Sequence, residues 1–467
     1  MEKQWKRPHR LVLVPCPFQG HINPMLHLGY ILHSKGFSIT ISHTQFNFPN
    51  TANHPDFHFL PIVDGFSDRV VSSGNFIDVI SSFNNNCRAP LEESLALVME
   101  TKEYDGEIAC IIYDEYMYFA AAVAKHLKLP SIILRTSSAI HDLTYNAIPG
   151  LLKDGHISTQ DADPILLESV PGLHPLRFKD LPITNFKSIN DLLQLIANAH
   201  ETRMIKGKLY HHRTSAAIIW NTMDCLEGKS LAQFQQQSQV PLFAIGPFHK
   251  IAPAKSCSIL EEDTNCIEWL DKQACNSVIY ISLGSIASMD KKELAEMEWG
   301  LANSQQHFLW VVRPDPTTTC SEWTDSLPEG FIEAIGERGC IVKWAPQKEV
   351  LAHSAVGGFW SHCGWNSTLE GLCEGVPMIC QPYFGDQRVH ARYLTQVWRT
   401  GQEWGDNMER GEIERAVRRL MVDKEGKEMR QRAVHLKEKI DICMSEGGGS
   451  YNSLYELVGY ILSLKIA

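Results

Sequence analysis

The chain has 467 residues, of which 44% are hydrophobic and 21% charged, and it carries a formal net charge of −11. That length is more than one ordinary core accommodates, so two domains are expected, with the composition of a soluble globular protein. The acidic balance argues against a nucleic-acid binder, which needs a basic surface to neutralise phosphates, but it allows a nucleotide held by a few local donors.

The N-terminal Lys3, Lys6, Arg7 and Arg10 precede a short apolar run, which Pro15 and Pro17 stop too early for a signal peptide. Leu11–Pro15 reads as a buried strand, and Phe18-Gln19-Gly20-His21 as the turn after it. Asn23 is the expected N-cap of the next helix, with Pro24 at its first position and Gly36 at its end. Phe37–Ser42, Ile108–Tyr113, Ser131–Leu134 and Ala216–Trp220 are further strand candidates with helical stretches between them. Alternation of this kind predicts an α/β fold with a parallel, doubly wound sheet.

Gly246-Pro247-Phe248 and the polar run to Asp263 have the make-up of a linker. The alternation then resumes. Strands are expected at Val278–Ser282, Phe308–Val312, Ile341–Lys343, Gly358–Trp360 and Pro377–Cys380. Helices are expected at Lys291–Asn303, Ser367–Glu374, Arg388–Val397, Gly411–Val422 and near Tyr451–Leu464. The boundaries are therefore 1–245 for a first Rossmann-like domain, 246–263 for the linker, 264–450 for a second, and 451–467 for a terminal helix.

Thirteen cysteines with no C-x-x-C pair argue against a disulfide framework or a zinc cage and for reduced packing thiols in a cytoplasmic protein. No segment approaches the roughly 18–20 apolar residues a membrane helix requires, LVGYILSL near the C-terminus included.

The densest chemistry lies between Trp344 and Gln387. His362-Cys363-Gly364-Trp365-Asn366-Ser367 carries a strand into a helix start, where glycine admits a ligand to the backbone and N–H groups favour phosphate oxygens. Histidine, amide and hydroxyl side chains add donors. On residue chemistry this is a candidate anion or nucleotide-phosphate site. His21 follows the first strand at the carboxyl edge of the sheet, where a neutral imidazole can take a proton from a hydroxyl. Asp114 ends another strand on the same edge and could fix the tautomer of His21, or serve as an ordinary N-cap; Glu115 is the weaker candidate.

The gapless run WAPQKEVLAHSAVGGFWSHCGWNSTLEGLCEGVPMICQPYFGDQ closely resembles the signature of plant family-1 UDP-sugar glycosyltransferases, and PFQGHINP resembles their catalytic-base segment. The resemblance implies the GT-B architecture, two Rossmann-like domains facing across a cleft, with the final helix returning to the N-terminal domain. It implies His21 as catalytic base and Asp114 as its partner. For UDP it implies stacking of uracil on Trp344 with main-chain contacts from Ala345, ribose binding by Gln347 and Glu370, and diphosphate binding by Ser285, His362, Gly364, Asn366 and Ser367. Thr136, Trp365, Asp386 and Gln387 would recognise the sugar, and a closing Gln resembles glucose-using members.

Phe18, Tyr116, His141 and Tyr145 are pocket candidates by position, each equally readable as packing. His141 could orient an acceptor or cap a helix. The implied reaction is an inverting, metal-independent transfer of glucose from UDP-glucose to a hydroxyl or carboxyl of a small hydrophobic plant metabolite such as a terpenoid, flavonoid or cytokinin. No cofactor, metal, nucleic acid or membrane insertion is expected, and the chain is expected to be a monomer. Arg399-Thr-Gly-Gln-Glu-Trp404 departs from the more apolar strand of relatives, which puts local sheet packing in question. An NAD-dependent oxidoreductase would need G-x-G-x-x-G at the first turn, which Pro15-Cys-Pro-Phe-Gln-Gly20 lacks. The remaining alternative is a non-catalytic binder of a UDP-sugar or small molecule on the same scaffold.

Overall fold

The computed structural model describes residues 9–47, 49–65, 76–101, 106–157, 167–183, 189–199, 202–205, 208–211, 215–252, 257–284, 291–312, 330–405 and 408–464. The chain divides into two compact units: residues 1–164, 183–259 and 442–467 form the first, and 165–182 with 260–441 the second. The division at Ile259/Leu260 falls inside the segment expected to be a linker. Residues 246–252 of that segment are packed rather than free: Phe248 is fully buried in the core of the first unit, and its N–H donates to Asn221 Oδ1 at 3.1 Å.

In chain order the strands of the first unit are β1 (Arg10–Val14), β2 (Ser38–Thr44), β3 (Phe57–Ile62), β4 (Ile108–Asp114), β5 (Ser131–Arg135), β6 (Thr202–Ile205), β7 (Lys208–His211), β8 (Ala217–Trp220) and β9 (Leu242–Ala244). Seven of them form one sheet in the order β3-β2-β1-β4-β5-β8-β9, paired in parallel throughout, while β6 and β7 make a separate antiparallel hairpin. β1, β4 and β5 are buried along their whole length, because helices cover both faces of a parallel sheet and no position faces water.

The helix after β1 runs Gln19–His33, with Phe18 as its extended N-cap; the N–H groups of His21 and Ile22 both reach Phe18 O. The expectation of a start at Asn23 is thus corrected: Pro24 lies inside the helix and His21 in its first turn. Proline forfeits a bond to the carbonyl four residues back. Burial of Ile22, Met25, Leu26, Leu28, Ile31 and Leu32 outweighs that loss.

The second unit holds β10 (Val278–Ser282), β11 (His307–Val311), β12 (Gly339–Val342), β13 (Val356–Ser361), β14 (Met378–Cys380) and β15 (Gly401–Glu403). They form one parallel sheet in the order β12-β11-β10-β13-β14-β15. β15 lies within the polar stretch Arg399–Trp404. It pairs with β14 through Met378↔Gly401 to Cys380↔Glu403, and its place at the edge of the sheet tolerates polar side chains. Among the described residues no helix is long and apolar enough to cross a membrane.

Candidate active site

In each unit the strand order reverses once, between β1 and β4 in the first and between β10 and β13 in the second. At such a switch point the connections leave in opposite directions, opening a crevice at the carboxyl ends of the strands. His21 follows β1 and Asp114 ends β4, the two strands of the first switch point, and His362 to Ser367 follow β13 at the second.

In the first unit, His21 comes from the helix turn after β1, Asp114 is the last residue of β4, and Thr136 immediately follows β5. His21 Nδ1 lies 2.8 Å from Asp114 Oδ2 and 2.9 Å from Thr136 Oγ1. Asp114 is fully buried, and its other oxygen accepts from the Tyr116 N–H at 3.0 Å. A buried carboxylate so held accepts a hydrogen bond from Nδ1–H, which fixes the tautomer and leaves the basic lone pair on Nε2. The His21 side chain is 19% exposed, so an acceptor hydroxyl can reach it. Tyr116 stands edge-on to its ring, with centroids 5.3 Å apart.

Glu115 points to other partners. It sits 3.2 Å from Arg135, which also pairs with Asp142, in a buried cluster whose guanidinium lies over the Trp220 ring. His141 is 3% exposed and packs edge-on against Tyr145, with centroids 4.3 Å apart. The helix Ala139–Lys153 is capped by Ser138 rather than by His141. Tyr145 belongs to a core cluster with Ile148, Leu192 and Ile196, whereas Phe18 is partly exposed and meets Phe46 edge-on.

In the second unit, Trp344 is partly exposed and its carbonyl accepts from the Asp263 N–H at 2.9 Å, with Ala345 buried beside it. Gln347 opens a short helix. Its amide donates to Glu370 Oε2 at 2.6 Å and to Ser367 Oγ at 3.0 Å, while Tyr280 donates to its Oε1 at 3.2 Å. Burial pushes the Glu370 carboxyl up to about 7, against the lowering effect of the Gln347 hydrogen bond.

The turn after β13 is built around His362. A Cβ on Gly284 (φ +80°) would fall 2.6 Å from His362 Nε2, and one on Gly364 would fall 2.5 Å from the same atom. Both glycines are therefore needed for the imidazole to lie where it does. Cys363 adopts φ +64°, unusual for a residue with a side chain. Its N–H is held by Ser361 Oγ at 3.0 Å.

Gly364 is the N-cap of the helix Trp365–Glu374 and no side chain caps that end. The N–H groups of its first turn therefore offer donors for an anion, beside His362, Asn366 and Ser367. The Trp365 ring is 3% exposed and packs on His390, with centroids 4.9 Å apart, so any sugar contact from Trp365 falls to its main chain. Gln387 is 4% exposed, and its Oε1 accepts from the N–H groups of Tyr383 and Phe384. Asp386 keeps a 24% exposed side chain. Ser285 lies outside the described residues.

His390 was not legible in advance. It is fully buried; its Nδ1 is 2.9 Å from the Cys363 carbonyl and its Nε2 3.8 Å from Asp386 Oδ2. It thereby links the turn at Cys363 to the partly exposed Asp386. Its signal in the sequence was only four-residue spacing from Asp386.

Two doubly wound parallel sheets, one with a carboxylate-held histidine and the other with a helix start that no side chain caps beside the Gln347–Glu370 pair, define a GT-B nucleotide-sugar transferase. The comparisons agree. The family described as "UDP-glucoronosyl and UDP-glucosyl transferase" matches residues 255–441. The chain is 46% identical over 458 residues to UDP-glycosyltransferase 76E1 of Arabidopsis thaliana, covering 98% of this chain and 97% of the relative. It is also 46% identical to flavonol 3-O-glucosyltransferase UGT76E12 of Arabidopsis thaliana, covering 97% of each. Phytolacca americana UGT2, complexed with UDP-2fluoro-glucose and pterostilbene, superposes with a TM-score of 0.80 at 27% identity, covering 98% of this chain and 100% of that one. The chain belongs to the plant family-1 UDP-glycosyltransferases and is a glycosyltransferase enzyme.

Proposed function

We propose that the chain transfers glucose from UDP-glucose to a hydroxyl or carboxyl of a small hydrophobic plant metabolite such as a terpenoid, flavonoid or cytokinin. His21 acts as base, supported by its 2.8 Å contact with fully buried Asp114. As His21 Nε2 takes the acceptor proton, the acceptor oxygen bonds to the anomeric carbon and the bond to the diphosphate breaks on the opposite face. A single displacement inverts the α-linked donor to a β-glucoside. Asp114 stabilises the imidazolium that forms.

Negative charge gathers on the departing UDP. The N–H groups opening the helix Trp365–Glu374, with His362, Asn366 and Ser367, are placed to meet it, and Ser285 is assigned the same role. This reading gives leaving-group stabilisation to the chain's own donors rather than to a metal. Trp344 and Ala345 take uracil, and Gln347 with Glu370 takes the ribose hydroxyls, as the pairing of those two side chains favours. Asp386 and Gln387 take the sugar, with the Trp365 main chain. Thr136 is likewise assigned to the sugar, and its hydroxyl also lies beside His21. Phe18 and Tyr116 border the acceptor. The chain acts as a cytoplasmic monomer, divided functionally at residues 246–263.

The names of the relatives support the donor and the acceptor class: one is a flavonol 3-O-glucosyltransferase, and a structural neighbour holds a fluorinated UDP-glucose with pterostilbene. The test is incubation of EDTA-treated protein with UDP-glucose and a panel of flavonol, terpenoid and cytokinin acceptors, followed by mass spectrometry and NMR of the product. A hexose gain with β configuration is expected. An α-glucoside, or a requirement for added metal, overturns the mechanism.

A further inference from the structure

Among the described residues, one group of thiol and carboxylate side chains brings its candidate ligand atoms together: Asp224, Cys225 and Cys443 all lie within 4.8 Å of one another. None of them takes part in the transfer proposed above. Asp224 and Cys225 are the first two residues of the helix Asp224–Gln237, and Cys443 closes the helix Lys424–Met444 far along the chain. All three belong to the first unit. Cys443 Sγ donates to Asp224 Oδ1 at 2.9 Å and lies 3.5 Å from Ser450 Oγ.

A Cβ on Gly449 would fall 2.6 Å from Asp224 Oδ2 and 2.7 Å from Oδ1, so the carboxylate lies close against the start of the helix Gly449–Ser463. Cys443 is buried, Cys225 partly buried and Asp224 exposed, a gradient that leaves one side open to water. Ser450 donates its own proton to the Gly246 carbonyl at 2.6 Å. Two thiolates and a carboxylate would together carry three negative charges, which a divalent ion offsets once the shared protons leave. Sulfur donors select a thiophilic ion, bound at roughly 2.3 Å to sulfur and 2.0–2.2 Å to oxygen.

We infer that Asp224, Cys225 and Cys443 form a binding site for one thiophilic divalent cation of the zinc type, with water as the fourth ligand. Binding releases the thiol protons to solvent and changes no oxidation state. It ties residue 443 to residue 224 and so stabilises the first unit.

The probe is Cd2+, whose bonds to thiolate give an ultraviolet charge-transfer band. Reduced, chelator-stripped full-length protein is expected to take up a single tight equivalent with that band. Cys225→Ser and Cys443→Ser should each lose it, and Cys275→Ser, which alters an exposed thiol elsewhere, should keep it. A second readout needs no variant: Zn2+ should slow alkylation of Cys225 and Cys443, but not of Cys275, in peptide mass spectrometry. The inference is overturned if Cys225→Ser titrates like the parent, if Zn2+ leaves both thiols as reactive as before, or if the pair is recovered as a disulfide from protein already given Zn2+.

Discussion

Glu298 lies on the helix Lys291–Ser304, which packs against Arg410–Met421 through close contact of Gly300 with Ile413 and an ion pair of Glu296 with Arg410. It is 1% exposed, and among the described residues neither carboxylate oxygen has a hydrogen-bond partner. Burial alone pushes its carboxyl from 4.5 up to about 8. A carboxyl raised by folding is held neutral, so its penalty is absent below the unfolded value, grows as pH rises from 4.5, and levels off above about 8. From that shift, ionisation opposes folding by under about 1 kcal/mol at pH 5, about 3 kcal/mol at pH 7 and about 4 kcal/mol at pH 8. Glu298→Gln keeps the shape and removes the proton equilibrium. Urea unfolding at those three pH values should show the variant close to the parent at pH 5 and increasingly more stable at pH 7 and 8. Parallel curves, with a difference that does not change with pH, would refute the reasoning.

Asp114→Asn should lower kcat by roughly 10²–10⁴-fold with UDP affinity unchanged, because it removes the charge that steadies an imidazolium without touching the donor; steady-state kinetics paired with calorimetry checks this. Gly364→Ala should weaken UDP binding at least severalfold, since the new methyl would fall 2.5 Å from His362 Nε2 and displace the imidazole. Glu370 must be ionised to accept from both ribose hydroxyls, so UDP affinity should fall as pH drops through about 7. Glu370→Gln should bind UDP more weakly and flatten that dependence, as titrations at pH 6 and pH 8 would reveal.

Where apolar runs are short and bounded by turn residues, the sequence reports the fold well: Val278–Ser282 was located to the residue, and β1, β4 and β5 to within one. The strands missed were β3, β9 and β15, with the hairpin of β6 and β7. β3 contains Pro61 and has partly exposed positions, β9 is three residues long and β15 is polar; all three are edge strands recruited by the sheet rather than by their own pattern. The helix start was misplaced because Pro24 is a strong local signal and the burial that overrides it is tertiary.

The site divides in the same way. Position at strand ends and the family resemblance singled out His21 and Asp114, and the structure joins them because β1 and β4 are neighbours at the switch point. It equally joined Gln347 to Glu370 and Ser367. Spacing could not reveal that Glu115 is spent on Arg135 or that Tyr145 is core, since both depend on helix packing. The approach of Cys225 to Cys443 had no local signal at all, because two ordinary helix ends bring them together.

The most direct test of the division of labour between a catalytic first unit and a donor-binding second unit is His21→Ala, measured for turnover and for UDP affinity on the same preparation. Hexose transfer should fall by roughly 10²–10⁴-fold while UDP binds as tightly as to the parent. Undiminished transfer, or a parallel loss of UDP binding, would contradict His21 as the base.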